Sequence, residues 1–203
     1  MGTKMSNNKD WNGNKTSYVS CNGFANNREY DREKHDYYAT EPRATELLLT
    51  LDDFSNVWEC ACGGGYMAKV LEAAGILSLA TDKYASVYGY GKDFDFLTET
   101  KQWEGDIITN PPYKYAGDFI KQAMRNLSPG GKLALFLPDR YLSSKSRRKI
   151  FEEYPPYKVW ISSSRLACAI NGDFEHMDGS AVDYMWMIWH KGYKGETKLG
   201  WLN

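Results

Sequence analysis

Residues 57–67 read VWECACGGGYM, an apolar run that leads into three consecutive glycines. The run predicts a strand over residues 57–61, and the glycines allow a tight turn at its end. Four apolar residues then recur at helical spacing, namely Met67, Val70, Leu71 and Ala74. Gly75 is a natural helix end, and residues 76–81 predict a second strand that finishes beside Asp82. This stretch therefore predicts a β-α-β unit, for which we expect a right-handed crossover.

The same alternation of apolar runs and helical patterns continues on both sides of this unit. The predicted helices span residues 41–51, 119–127 and 144–154, and the other predicted strands span residues 105–109, 132–137, 158–161 and 181–190. Thr40 is a suitable N-cap for the first helix, with Pro42 in its first turn. Strands that alternate with helices indicate an α/β fold with a mostly parallel sheet and helices on both faces. No helical pattern separates the last two strands, so they can pair antiparallel.

The composition fits one globular domain of 203 residues, of which 42% are hydrophobic. Residues 1–35 are polar and predict a mobile arm, and residues 36–203 predict the folded domain. The 25 basic and 26 acidic residues give a net charge of −1, which excludes a strongly basic coat protein but allows a local basic patch. No apolar run approaches about 20 residues and no signal pattern is visible, so we expect no membrane contact and a cytoplasmic location.

The cysteines do not form a metal-binding pattern. Cys60 and Cys62 are one residue apart, closer than the usual spacing of zinc ligands, and no histidine flanks them. We interpret them as small buried residues in a tight turn. The sequence therefore predicts neither a metal site nor a disulfide.

Unusual residues fall at the predicted strand ends, where open α/β sheets bind their ligands. Glu59 leads into the glycine turn, which lacks the Lys-Ser/Thr ending of a phosphate-binding loop and so disfavours nucleoside triphosphate hydrolysis. Asp82 ends the next strand, where a carboxylate can accept hydrogen bonds from ribose hydroxyls. Asp95 can accept a hydrogen bond from an exocyclic amine, and Phe96 can cover a purine ring. Each feature alone also fits packing or helix capping, and their combination favours a nucleoside ligand.

The most informative motif is Asn110-Pro111-Pro112-Tyr113, directly after an apolar strand. The two prolines remove backbone donors, so the turn presents carbonyl acceptors. The Asn110 side-chain oxygen and the Pro111 carbonyl can both accept a hydrogen bond from one NH₂ group. Tyr113 can stack on the planar ring to which that group is attached. A simple turn does not need all four residues, and the motif therefore predicts a site for a planar amine.

Residues 58–67 and 106–113 together resemble the S-adenosylmethionine-dependent amino-methyltransferases, and most of all the small phage- and prophage-encoded adenine-N6 DNA methyltransferases. Residues 37–42 resemble the N-terminal cofactor motif of that family, and residues 137–189 its C-terminal half. The chain departs from the family at Cys60, where Pro is usual. The resemblance implies a Rossmann-like methyltransferase fold, with a mostly parallel seven-stranded sheet and a C-terminal antiparallel strand.

The resemblance also implies a cofactor and residue roles. The cofactor is expected to be S-adenosyl-L-methionine, with S-adenosyl-L-homocysteine as the product and no metal. The implied catalytic residues are Asn110, Pro111, Pro112 and Tyr113. The implied cofactor-binding residues are Tyr38, Thr40, Glu59, Ala61, Cys62, Gly63, Gly65, Asp82, Asp95, Phe96 and Asn110. The implied location is the bacterial cytoplasm, with a phage or prophage gene as one origin.

The implied reaction is direct methyl transfer to the N6 amine of an adenine flipped out of DNA. DNA is thus the expected partner, and phosphate contacts are assigned to a local basic patch. The residues of this patch are Arg140, Lys145, Arg147, Arg148, Lys149 and Arg165. A solvated helix face is the alternative interpretation of the patch. The motif at residues 110–113 is also typical of RNA methyltransferases acting on adenine N6 or guanine N2 and of protein glutamine N5-methyltransferases, which stay open as alternatives.

Overall fold

The computed structural model describes residues 38–164, 166–170, 172, 174 and 182–203. The predicted N-terminal arm and Arg165 lie outside the described residues. The strands are β1 (Tyr38–Thr40), β2 (Val57–Glu59), β3 (Leu77–Asp82), β4 (Lys92–Asp93), β5 (Ile107–Thr109), β6 (Lys132–Pro138), β7 (Lys158–Ile161), β8 (Cys168–Ile170), β9 (Tyr184–His190) and β10 (Lys198–Trp201). The α-helices are α1 (Pro42–Leu51), α2 (Tyr66–Ala73), α3 (Ala85–Tyr88), α4 (Ala116–Asn126) and α5 (Lys145–Glu153).

Eight of these strands form one sheet, in the order β10-β7-β9-β6-β5-β2-β3-β4. Neighbouring strands run parallel, except that β9 is antiparallel to both β6 and β7. The predicted α/β fold with a mostly parallel sheet is therefore confirmed, but the count of seven strands is wrong by one. No predicted strand corresponds to β10, an edge strand in which Leu199 and Trp201 stay largely exposed. Because this strand buries little, no apolar alternation marks it in the sequence.

Two apolar layers cover the two faces of the sheet. Along β6, Leu133, Leu135 and Leu137 pack into one layer, whereas Ala134 and Phe136 pack into the other. This division follows from the two-residue period of a strand. Residues of α4 and α5 complete the first layer, and residues of α1 and α2 complete the second. With both faces covered, the central strands are buried and read as continuous apolar runs.

The centre of the sheet contains its topological switch point. Strand β2 has β3 and β4 on one side and β5 and β6 on the other, and it contacts β5 through Trp58 and Ile107. The connections that leave β2 and β5 diverge, which opens a crevice at the carboxyl ends of these strands. The glycine turn follows β2, and the turn at residues 110–113 follows β5, so both motifs lie beside this crevice.

Strands β1 and β8 form a separate antiparallel ribbon, in which Thr40 pairs with Cys168. The prediction that Thr40 caps α1 is wrong, because Thr40 ends β1 and Glu41 occupies the N-cap position. The Thr40 hydroxyl is instead a hydrogen-bond acceptor for the side chain of Asn110.

Most other predicted elements are present with shifted ends. Strand β2 ends two residues earlier than predicted, because the chain already bends into the glycine turn, where the Cys62 N–H donates to the Thr81 carbonyl (3.0 Å). Gly75 follows α2 with a φ of 72°, as expected of a glycine at a helix end. Among the described helices, none has the length and hydropathy of a membrane span.

Candidate active site

A cavity of about 760 Å³ opens where the carboxyl ends of β2, β3 and β5 meet. Small-molecule and cofactor sites have volumes of about 300–1,000 Å³. The predicted site residues that line this cavity are Tyr38, Thr40, Glu59, Ala61, Cys62, Asp82, Asp95, Asn110, Pro111, Pro112 and Tyr113. Of the predicted catalytic and cofactor-binding residues, those that do not line it are Gly63, Gly65 and Phe96. The fold thus gathers at one crevice most of the residues that the sequence assigned to one site.

The side-chain amide of Asn110 is held in one orientation. Its Nδ2 donates to the Tyr38 carbonyl (3.1 Å) and to Thr40 Oγ1 (2.9 Å), both on β1. The Tyr38 carbonyl can only accept, so the nitrogen and not the oxygen faces β1. The Asn110 Oδ1 is buried and has no hydrogen-bond partner among the described residues. A buried acceptor without a donor costs about 1–3 kcal/mol, so a ligand donor at this oxygen would be stabilised.

Tyr113 lies half-buried at the end of the same turn. Its hydroxyl is 3.6 Å from Cys168 Sγ, and its ring lies beside that of Tyr184, with centroids 6.4 Å apart. Burial raises the pKa of Tyr113 well above its ordinary value, and burial raises the pKa of the Cys168 thiol to about 11. Both groups are therefore neutral at physiological pH.

Two buried acidic residues, Glu59 and Asp82, are the last residues of β2 and β3. Glu59 is only 2% exposed, and its Oε2 has no hydrogen-bond partner among the described residues. Burial, and then the negative charge of Asp82, raise the pKa of Glu59 well above its ordinary value. Asp82 Oδ2 accepts from the Gly63 N–H (2.9 Å), and Asp82 Oδ1 accepts from the Tyr84 N–H (2.7 Å). Two neighbouring buried acids favour a positively charged ligand group, which would relieve their mutual repulsion.

Gly63 and Gly65 set the backbone conformation of the turn after β2. Gly63 and Gly65 have φ angles of 48° and 79°, in the left-handed region that glycine adopts without strain. A Cβ at Gly65 would lie 2.4 Å from a ring atom of Tyr90. Gly63 and Gly65 are not among the residues that line the cavity; Gly65 makes room for Tyr90, and the Gly63 N–H donates to Asp82. Their contact with the cofactor stays a prediction.

Of the two predicted residues in the segment after β4, Asp95 lines the cavity and Phe96 does not. Asp95 lines the cavity, but its Oδ1 accepts from the Leu97 N–H (3.1 Å) and its Oδ2 pairs with Lys83 (2.8 Å). Phe96 is 2% exposed and packs edge-on against Trp58 in the core. The neighbouring Leu97 lines the cavity instead. Within the short helical turn at Phe96–Thr98, Leu97 thus faces the cavity and Phe96 faces the core, and the predicted contact of Phe96 with a purine stays a prediction.

Several cavity residues had no sequence prediction. They are Ala39, Cys60, Tyr66, Met67, Lys83, Tyr84, Tyr88, Leu97, Lys114, Tyr115 and Phe119. Lys114 and Tyr115 directly follow the Asn-Pro-Pro-Tyr turn, and Lys83 follows Asp82. Their position next to a predicted site residue could have indicated that they line the cavity. No signal in the sequence indicated Cys168, because this residue is brought next to Asn110 only by the pairing of β8 with β1.

The described residues of the predicted basic patch lie outside the cavity, on α5 and the turn before it. Arg147 stacks on the Tyr141 ring, with its guanidinium 4.1 Å from the ring centroid, and donates to the Tyr141 carbonyl (3.1 Å). Arg148 pairs with Glu152 at 2.6 Å. Arg140, Lys145 and Lys149 are exposed. Arg147 therefore has a structural role, and the exposed cations are the better candidates for phosphate contact.

Comparisons with known proteins bear on the fold. No protein-family model matches the sequence, and no curated protein matches it. A protein from Listeria monocytogenes assigned to the class I S-adenosylmethionine-dependent methyltransferases has 15% identity and a TM-score of 0.52, over 79% of this chain and 64% of its own. An S-adenosylmethionine-dependent O-methyltransferase from Thermotoga maritima has 16% identity and a TM-score of 0.51, over 76% of this chain and 67% of its own.

The M protein of the type I restriction enzyme EcoKI is a further structural neighbour. It has 13% identity and a TM-score of 0.50, over 79% of this chain and 45% of its own. This chain thus spans less than two thirds of the Listeria protein and less than half of the M protein. At these identities the likeness establishes the fold, which is the Rossmann-like fold of class I methyltransferases.

Proposed function

We propose that this protein transfers the methyl group of S-adenosylmethionine to the N6 amine of an adenine flipped out of DNA. The observation that carries the proposal is the buried Oδ1 of Asn110, which has no partner among the described residues, in a cavity at the switch point of a methyltransferase fold. An exocyclic amine has two N–H donors, and this oxygen is an acceptor fixed in place before the substrate arrives. The likeness to the EcoKI M protein supports a DNA substrate.

Asn110 and Pro111 would activate the amine by accepting its two hydrogens. The lone pair of an adenine amine is delocalised into the ring, which makes the nitrogen a poor nucleophile. Hydrogen bonds to the Asn110 Oδ1 and the Pro111 carbonyl favour a tetrahedral nitrogen, whose lone pair is then localised. Fixed acceptors of this kind act by orientation and electrostatics and need no covalent enzyme nucleophile.

The cavity residues fit the proposed cofactor. S-adenosylmethionine, when bound, supplies a methyl group on a positively charged sulfur and carries a second cationic centre at its amino group. Glu59 and Asp82 place two carboxyl groups in the cavity, and the Glu59 Oε2 lacks a donor among the described residues. A cationic group of the ligand would favour the charged form of Glu59 and so offset the effect of burial on its pKa. Asp82 can accept further hydrogen bonds from ribose hydroxyls, because each carboxylate oxygen has two acceptor sites.

Nucleic acid would be held by residues outside the cavity. Flipping a base from a duplex costs a few kcal/mol, and stacking on an aromatic ring returns about 1–3 kcal/mol. Tyr113 lines the cavity next to Asn110 and can supply this ring. The net charge is only −1, so phosphate contacts require local cations such as Arg140, Lys145 and Lys149.

The test is a transfer assay with three acceptors. Methyl-labelled S-adenosylmethionine is incubated with PCR-amplified DNA, with transcribed RNA of the same sequence and with a protein extract, and the products are digested and separated. We expect label in N6-methyladenine from DNA. A different result would contradict DNA as the substrate. Label in N6-methyladenosine or N2-methylguanosine from RNA, with none in DNA, would indicate an RNA methyltransferase. Label in N5-methylglutamine from protein, with none in DNA, would indicate a protein glutamine methyltransferase.

A further inference from the structure

The ribbon of β1 and β8 is fixed directly against the candidate catalytic turn. Its last strand pair joins Thr40 to Cys168, and two further hydrogen bonds extend it. The Glu41 N–H donates to the Ala167 carbonyl (3.0 Å), and the Ala167 N–H donates to Glu41 Oε2 (3.0 Å). These bonds hold the end of β1 in a defined position relative to β8, although this ribbon is not paired with the main sheet.

Both ribbon strands contact the nitrogen end of the Asn110 amide. Thr40 Oγ1 lies 2.9 Å from Asn110 Nδ2, and Cys168 Sγ lies 3.6 Å from the same atom. Thr40 is 4% exposed, so water cannot readily replace its hydroxyl. The oxygen end has no such partner among the described residues. The Tyr38 carbonyl of the same ribbon can only accept, and it therefore distinguishes the two ends of an amide that are nearly identical in shape.

We infer that Thr40 is a positioning residue of methyl transfer, which fixes the Asn110 amide so that its oxygen accepts from the target amine. This inference rests on the proposed function. It gives Thr40 a role different from the cofactor contact that the family resemblance implies and from the helix cap that its sequence position suggests. Thr40 acts through Asn110 and need not touch the substrate.

The physical reason is the cost of the flipped amide. A flipped Asn110 would turn its NH₂ group toward the substrate amine, and two donors would then face each other. It would also turn its oxygen toward the Tyr38 carbonyl, another acceptor. The Tyr38 carbonyl, which can only accept, opposes the flip, whereas the Thr40 hydroxyl can donate as well as accept. The Thr40 bond instead fixes the amide in place on the ribbon, and without it the competent geometry becomes less populated.

The experiment compares Thr40→Val, which removes the hydroxyl, with Thr40→Ser, which keeps it. The matched control is Thr45→Val, because Thr45 is also buried and its Oγ1 has no partner among the described residues. For each variant, kcat and KM are measured with PCR-amplified DNA, the Kd of S-adenosylmethionine is measured by calorimetry, and the Tm is recorded. We expect kcat to fall about tenfold in Thr40→Val, with KM and the cofactor Kd changed less than about twofold. Thr40→Ser and Thr45→Val should keep most of the wild-type kcat.

Three results would overturn the inference. The first is an unchanged kcat in Thr40→Val, and the second is a raised cofactor Kd with an unchanged kcat at saturation, which would make Thr40 a cofactor contact. The third is an equal loss in Thr40→Ser and Thr40→Val, which would indicate packing. If Thr40→Val does not fold, Thr40→Ala replaces it in the comparison with Thr40→Ser. A wild-type protein that methylates none of the three acceptors would instead contradict the proposed function itself.

Discussion

The amino ends and the carboxyl ends of the central strands each bury an acidic residue, and the two residues differ in how completely they are hydrogen-bonded. Asp106 precedes β5 and is 5% exposed, and its two oxygens accept from the backbone N–H groups of Ser55 (2.8 Å) and Lys132 (2.8 Å). Glu59 ends β2 and is 2% exposed, yet its Oε2 has no partner among the described residues. A fully bonded buried acid stabilises a fold, whereas an incompletely bonded one at a cavity is typical of a ligand site.

Two asparagines show the same contrast. In α4, Asn126 Nδ2 donates to the Glu99 carbonyl (3.3 Å), and its Oδ1 accepts from Gln122 Nε2 (3.2 Å). Asn110 is bonded only through its nitrogen. Residue type alone therefore does not separate the structural asparagine, which is buried, from the candidate catalytic one, which is half-buried. The state of the second polar atom does.

The largest effect is expected from removing the unpartnered oxygen. Asn110→Ala should lower the methyl-transfer rate about 100- to 1,000-fold, because a fixed electrostatic contact to the reacting group is lost. The Kd of S-adenosylmethionine, measured by calorimetry, should stay within about threefold. Asn126→Ala is the control: it should lower the Tm but keep the transfer rate per folded molecule. A weakened cofactor Kd in Asn110→Ala would assign the turn to the cofactor rather than to the substrate.

Removing the fully bonded acid should affect stability instead. Asp106→Ala leaves the N–H groups of Ser55 and Lys132 without their acceptor, at about 1–3 kcal/mol each. We expect the free energy of unfolding, from guanidinium titration followed by tryptophan fluorescence, to fall by about 2–4 kcal/mol. Transfer by the folded fraction should be unchanged. Lost activity at full stability would contradict the division between the two ends of the sheet.

Glu59→Gln should have opposite effects on two properties: the free energy of unfolding should rise and the affinity for the cofactor should fall. The folded state holds a proton on Glu59 at pH values where the unfolded chain has released it, so stability from this group decreases as pH rises above about 4.5. The glutamine has no such penalty, and unfolding at pH 7 should require more denaturant. Cofactor affinity should fall about 10- to 100-fold, because a charged contact is lost. A variant that is both less stable and unchanged in affinity would show that Glu59 is structural.

The smallest effect is expected from a histidine at the amino-end side of the sheet. Burial, and then the charge of Lys132, lower the pKa of His190 below its ordinary value. The unfolded chain therefore binds this proton first on acidification, and stability should decrease as pH falls through about 6.5. His190→Phe can keep the stacking on Tyr157, whose ring centroid is 4.1 Å away, and should reduce the difference between denaturation midpoints at pH 7.5 and pH 5.5. An identical difference in both proteins would remove His190 from the acid response.

Local patterns predicted the parts of the fold that depend on neighbours in the chain. The strands and helices around the glycine turn are present, because their apolar periodicity reflects burial on one or both faces. Strand β10 was missed because its burial is slight, and the ribbon of β1 and β8 was missed because three-residue strands carry almost no periodicity. The cap predicted at Thr40 failed because a distant strand uses its backbone and Asn110 uses its hydroxyl.

The amino-acid sequence by itself determined the α/β alternation, the glycine turn after β2 and the placement of Asn110-Pro111-Pro112-Tyr113 at a strand end. Only the tertiary structure decided that Leu97, not Phe96, lies on the cavity wall and that the Asn110 oxygen, not its nitrogen, has no partner in the part of the chain that the structure describes. The reason is physical: periodicity and turn chemistry act over a few residues. The satisfaction of a polar atom depends on whichever segment the fold brings to it, here Thr40, which lies 70 residues from Asn110 in the chain.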